Sequence, residues 1–268
     1  MTTLRRVLWI GGASASGKTT LATRLARKHG LRWYSADKRT WDHRDVALAG
    51  GHKAAAHWET MTQQEREATL VTSPAELLKL NLDFERGPMI VDDLLRLPPA
   101  PLVIADGSTV LPELVAQGHA QRDRAVWLLP TFELHRARHE KRGMAHFVEY
   151  RWLVAQEIER QAVEFGVNVL PVDETLGIDD ALAAVEDLFA GALAEGTCAE
   201  TLEDRQALLR WANEEVLTQV RSYLARPWTT GDEATFEQEF LCECGNPECA
   251  EIVELTVADY APGVSVHG

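Results

Sequence analysis

The chain has 268 residues, 46% of them hydrophobic, and a formal net charge of −14. That length suits one large domain, or an ordinary domain with a small one beside it. It contains no apolar run of about eighteen residues, so no helix spanning a membrane is expected.

The start, Met1-Thr2-Thr3-Leu4-Arg5-Arg6, lacks the long apolar stretch and small-residue cleavage site of a signal peptide, and a cytoplasmic protein is expected. Leu4 to Ile10 is a short apolar run closed by Gly11-Gly12 and predicts a buried strand. Residues 17–29 follow with helical spacing, Leu21, Leu25 and Ala26 on one face, and Gly30 stops them. Leu31 to Ala36 predicts a second strand, ending at Asp37. Residues 43–61 carry no clear pattern; Gly50-Gly51 breaks them. Thr62 with Glu65, and Ser73 with Glu76, predict capping boxes opening two helices, the second with Pro74 at its first position. Met89 to Leu97 predicts a third short helix, ended by Pro98-Pro99.

Strands are then expected at Leu102 to Ala105, Ala125 to Leu129 and Val167 to Val172. Helices are expected over 132–142, 147–165 and Asp179 to Leu193. Strands alternating with helices predict a parallel sheet with helices on both faces. After residue 193 the pattern changes: a linker, one amphipathic helix over 201–225, a cysteine-rich turn and a short strand from Glu251 to Val257. Residues 1–193 and 194–268 are therefore read as two parts. The second holds 4 basic and 15 acidic side chains, a net of −11, while the first holds 23 and 26. An acidic tail repels phosphate backbones, so no nucleic-acid partner is expected.

Gly12-Ala13-Ser14-Ala15-Ser16-Gly17-Lys18-Thr19 fits the phosphate-loop pattern G-x-x-x-x-G-K-[ST], after a strand and opening a helix. The glycines permit backbone angles that expose successive N–H groups, and the helix N-terminus adds partial positive charge. Gly12 to Thr19, with Thr20, are the expected nucleotide-binding residues. Lys18 suits the β- and γ-phosphates, and Thr19 suits a Mg²⁺ ion. Asp106, at the end of an apolar run, is the second expected Mg²⁺ carboxylate. No Asn-Lys-x-Asp segment of the kind that reads a guanine base is present.

On these residues the chain resembles the P-loop small-molecule kinases, the grouping of shikimate, gluconate and adenylate kinases and chloramphenicol phosphotransferase. The resemblance covers roughly residues 4–190. It implies a P-loop NTPase-type α/β fold, ATP and Mg²⁺ as cofactors, and a small molecule with a hydroxyl as acceptor. It implies that Asp37 serves as general base, with Asp42 a nearby competitor. The basic segment after the Ala125–Leu129 strand implies a lid whose arginines, Arg136, Arg138 or Arg142, reach the transferring phosphates. Val169 to Thr175 resembles the segment beside the adenine ring. Residues 38–101 should then cover the acceptor, with Trp41, His43, His52, His57 and Trp58 available to line it.

Cys242-x-Cys244-x4-Cys249 supplies three thiols close enough for one ion, and zinc prefers four ligands. His267 is the favoured fourth, with Cys198 or a carboxylate as alternatives. The expected whole is an α/β kinase domain with a small helical, zinc-binding appendage, whose long helix is also a candidate homodimer surface. The rival expectation is an ATP-binding switch whose acidic tail docks a protein partner.

Overall fold

The computed structural model describes residues 4–267. Met1, Thr2 and Thr3, on which the reading of the N-terminus partly rests, lie outside the described residues, as does Gly268. Five strands, β1 (Val7–Gly12), β2 (Arg32–Ser35), β3 (Val103–Asp106), β4 (Ala125–Pro130) and β5 (Val169–Val172), form a sheet in the order β2-β3-β1-β4-β5. Every pair in it is parallel. The helices are α1 (Lys18–His29), α2 (Thr40–Ala49), α3 (Lys53–Thr60), α4 (Gln63–Thr72), α5 (Pro74–Leu80), α6 (Gly87–Arg96), α7 (Glu113–Ala116), α8 (Phe132–Lys141), α9 (Val148–Phe165), α10 (Ile178–Glu195) and α11 (Leu202–Leu224). A hairpin of β6 (Glu237–Leu241) and β7 (Ile252–Thr256) follows.

Alternation along the strands splits the core between two faces. Val7, Trp9, Val103, Ala105 and Trp127 face Ile90 and Leu94 of α6 and Tyr150, Val154 and Ile158 of α9. Leu8, Ile10, Ile104, Val126 and Leu128 face Leu21 and Leu25 of α1 and Val185 and Phe189 of α10. Both faces being covered explains why the strands read as continuous apolar runs.

The first strand starts three residues later than expected and runs on through Gly11-Gly12. Residues 5 and 6 are a turn, closed by the Val7 N–H donating to the Leu4 carbonyl at 3.0 Å, and both glycines pair with β4. The Thr62 capping box forms with Glu65. The one expected at Ser73 does not: Ser73 is shared between the end of α4 and the start of α5, and its side chain makes no cap bond. β6 escaped the sequence reading because its strand alternation is largely polar, Glu237-Gln-Glu-Phe-Leu.

α11 lies along β2. Arg32 stacks over the Trp211 ring at 5.1 Å, and Trp211 packs against the cores of both sheet faces. Farther along, Val216, Leu217 and Val220 meet Phe240 and Val257 in a small core beneath the hairpin. Leu209, Val216, Leu217 and Val220 of α11 are thus buried within the chain, while Leu202 at its start stays exposed. No helix among the described residues is long and apolar enough to cross a membrane.

Candidate active site and candidate metal centre

β1 ends at Gly12 and α1 begins at Lys18, which leaves residues 13–17 as a tight connection. Gly12 has φ +130°, and a Cβ there would stand 2.3 Å from the Leu128 carbonyl oxygen, so only glycine fits. The carbonyls of this loop are held from outside by α8: Arg138 Nη1 donates to the Ala15 carbonyl at 2.8 Å, and His135 Nδ1 lies 3.3 Å from that of Ser14. Among the described residues no acceptor meets the backbone N–H groups of Ser14, Ala15, Gly17, Lys18, Thr19 or Thr20. The buried Ser16 hydroxyl also lacks a partner. The first N–H groups of a helix have no partner within it, and such a run beside a glycine-rich loop suits an anion.

The register carries two carboxylates to this loop. Ile10 and Ser35 both stand level with Asp106. Asp106 is fully buried; it accepts from the Thr19 hydroxyl at 2.8 Å and from Trp33 Nε1 at 2.7 Å. Burial, and then the charge of Asp37, push its pKa up to about 6, against the pull of Lys18 and the two donors. Asp37 sits in the 3-10 turn after β2, with its Oδ2 3.6 Å from Lys18 Nζ. Its Oδ1 accepts from the Ser108 N–H at 3.1 Å and hydroxyl at 2.9 Å. Burial alone would raise its pKa, but Lys18, Arg86, the Ser108 hydroxyl and Arg151 outweigh burial and hold it below the usual carboxylate value. Gly107 makes this contact possible, since a Cβ there would lie 2.8 Å from Ala36 Cβ.

The three expected lid arginines separate. Arg138 reaches the loop. Arg136 is exposed, 4.0 Å from Glu140 and over the Phe132 ring, and does not reach it. Arg142 caps α8 and borders a cleft that it shares with Thr19 and Thr20. Asp42 is engaged by Arg39 at 2.9 Å and Ser222 at 3.3 Å, outside the Lys18 contact.

Of the aromatic and histidine candidates of residues 38–101, Trp41, His43 and Trp58 are packed and His52 caps a helix. His43 is buried between Asp93 and Arg86, at 3.0 and 2.9 Å. His52 caps α3 through the Ala55 N–H, and His57 is exposed. Trp41 clusters with Tyr223 and Trp228, each at 5.5 Å. Trp58 is buried, with Arg44 and Arg66 over its ring. Asp173, in the segment expected beside adenine, turns its carboxylate onto the N–H groups of Thr175 and Leu176.

Two arginines were missed. Arg86, buried at the start of α6, donates to the Ala36 carbonyl, to His43 and to Thr40, and so braces the turn that carries Asp37. Arg151 of α9 lies 3.8 Å from Asp83 Oδ1 and over the Tyr150 ring, and its charge is felt at Asp37. Arg151 stands between Tyr150 and Trp152, whereas Arg86 follows Glu85 and precedes Gly87, so no local signal marks both as buried charges. His139 was named only as part of the basic segment. It is 1% exposed, 4.4 Å from the His135 ring, and neither ring nitrogen finds a partner among the described residues. Burial, followed by His135, Arg151, Arg142 and Lys18, lowers its pKa to about 4.

At the C-terminus the ligand atoms of Cys242, Cys244, Cys249 and His267 lie within 4.8 Å of one another. Cys249 Sγ is 3.4 Å from His267 Nε2. Cys198 is exposed and outside this group, so His267 completes the cluster. The cluster touches α1: Arg27 donates to the Cys242 carbonyl at 2.7 Å and points Nη1 at Cys244 Sγ, 3.8 Å away.

No protein-family model matches the chain. No curated protein matches it either. Among solved structures, an unliganded sugar kinase from a Janibacter species is similar, at 19% identity over 73% of this chain and 99% of that one, with a TM-score of 0.40. So loose a likeness carries no functional argument; the side chains around the phosphate loop carry it instead.

Proposed function

We propose that the protein is an ATP-dependent phosphotransferase that moves the γ-phosphate to a hydroxyl of a small molecule. The observation that carries this reading is the pairing, at one end of the sheet, of Lys18 with Asp37 at 3.6 Å and Thr19 with Asp106 at 2.8 Å. The unpaired N–H groups of Ser14, Ala15 and Gly17 to Thr20 suit the oxygens of a phosphate chain. Thr19 and Asp106 offer the oxygen ligands that Mg²⁺ takes, and the ion would neutralise charge on the phosphates. Lys18, and Arg138 from above the loop, are placed to stabilise charge on the moving group. Asp37, held ionised at neutral pH, can take the proton of the attacking hydroxyl.

In the same reading Cys242, Cys244, Cys249 and His267 hold zinc in a closed site. Three thiolates and an imidazole are a typical zinc donor set, and the hairpin's few apolar residues are a small core that a metal would help to fold.

The test is ATP turnover against a panel of sugars, nucleosides, antibiotics and coenzyme precursors, with parent and Asp37→Asn. Asp37→Asn should lose phosphoryl transfer and keep ATP binding. Slow hydrolysis by both proteins, unchanged by every acceptor, would overturn the transferase reading.

A further inference from the structure

A cleft of about 260 Å³ opens against the first turns of α1. That is just below the ~300–1,000 Å³ common for ligand pockets. Thr19, Thr20, Thr23 and Trp33 line one side, Lys38 and Arg142 border it, and the β6–β7 hairpin is the opposite wall. The hairpin's register decides which side chains face it. Leu241 pairs with Ile252, and Glu239 lies on the same face, whereas Phe240 and Leu255 point into the small core beneath α11. Glu239, Leu241 and Ile252 give the cleft that face of the hairpin, while Gln238, Phe240 and Glu251 reach its rim from the other. Ile252 is 47% exposed, an apolar platform between two exposed carboxylates.

Asp37 is not among the residues lining this cleft; its carboxylate is turned to Ser108 and Lys18. An acceptor that must meet Asp37 approaches elsewhere, and the cleft receives the other end of the phosphate chain, past Thr20. Its polarity agrees. Lys38 and Arg142 share the cleft with Thr19 and Thr20, Arg24 and Arg27 follow along α1, and the carboxylates stand on the hairpin, where hydroxyl donors are wanted. The buried, unpartnered Ser16 hydroxyl marks the phosphate end independently.

Building on the nucleotide-binding reading above, we infer that the C-terminal hairpin is the nucleoside-reading wall of the site. The planar base lies on Leu241 and Ile252, and Glu239 and Glu251 accept from ribose hydroxyls, as acidic residues do in dinucleotide sites. The metal cluster then fixes a substrate-binding surface, not a remote tail.

The full chain is titrated calorimetrically, with magnesium present, using ADP and separately pyrophosphate. The triple variant Glu239→Gln, Glu251→Gln, Ile252→Ser, all at exposed positions, should weaken ADP binding about tenfold or more and leave pyrophosphate affinity and the melting temperature unchanged. A triple variant that binds ADP as the parent does overturns the inference. A parent that binds pyrophosphate and ADP equally tightly overturns the inference alone. A parent that binds neither overturns the nucleotide reading, and the inference with it.

Discussion

The Thr19 hydroxyl donates to Asp106 at 2.8 Å, joining the first turn of α1 to the end of β3. Asp106 is fully buried beside Asp37 with its pKa raised to about 6, so its ionisation is costly. Unfolded, it would titrate near its ordinary value of 3.8, so between about 4 and 6 the native state binds the extra proton. Stability therefore falls as pH rises through that window, by on the order of 3 kcal/mol from this residue. Asp106→Asn should melt higher than the parent at pH 8 and lose magnesium-dependent ADP affinity; melting curves at pH 4 to 8 and calorimetry read the two effects. An unchanged pH profile would remove Asp106 as their source.

Arg138 and Arg136 lie two residues apart on α8 with different surroundings. Arg138→Ala should slow ATP turnover by about 10²-fold, the scale of losing one charge-stabilising donor. Arg136→Ala should leave turnover and stability near the parent's, since exposed pairs contribute about 0–1 kcal/mol. Steady-state rates for the two variants, measured side by side, test the assignment; equal losses would contradict it.

Gly107 controls how closely Ser108 approaches Asp37. Gly107→Ala puts a Cβ 2.8 Å from Ala36 Cβ. The overpacking should cost about 1–3 kcal/mol. Denaturant unfolding gives the cost, and turnover should fall with it as the Ser108 contacts open.

Removing metal tests the cysteine cluster. Elemental analysis of the purified chain should find one zinc per chain, and chelation should lower the melting temperature. Through Arg27, which holds the Cys242 carbonyl from α1, it should also weaken ADP binding. A metal-free protein with an unchanged melt would remove zinc from the account.

Much of the fold was legible because strands buried on both faces make apolar runs, with Gly11-Gly12 closing β1 and Gly30 capping α1. The loop from Gly12 to Thr19 was legible for a further reason: its residue types at that spacing answer a backbone need. Arg86 and Arg151 were not legible, because a charge paired with residues far away in the chain leaves no local pattern. For Arg151 that partner is Asp83. β6 was missed because three of its five residues are Glu or Gln, and its pairing is set by β7 across a turn. Trp41 and Trp58 pointed toward a ligand-lining role that packing fills instead, since an aromatic ring reads the same in either setting.

β2 is the last strand on its side of the sheet, and α11 runs along it with Trp211 packed against both faces. A bare strand there would offer a row of unpaired amides to any other chain with a free strand. The C-terminal segment therefore also acts as a guard against self-association. A chain cut after residue 193 should lose solubility before its phosphate loop can be assayed, and shorter versions for biochemistry should end beyond α11.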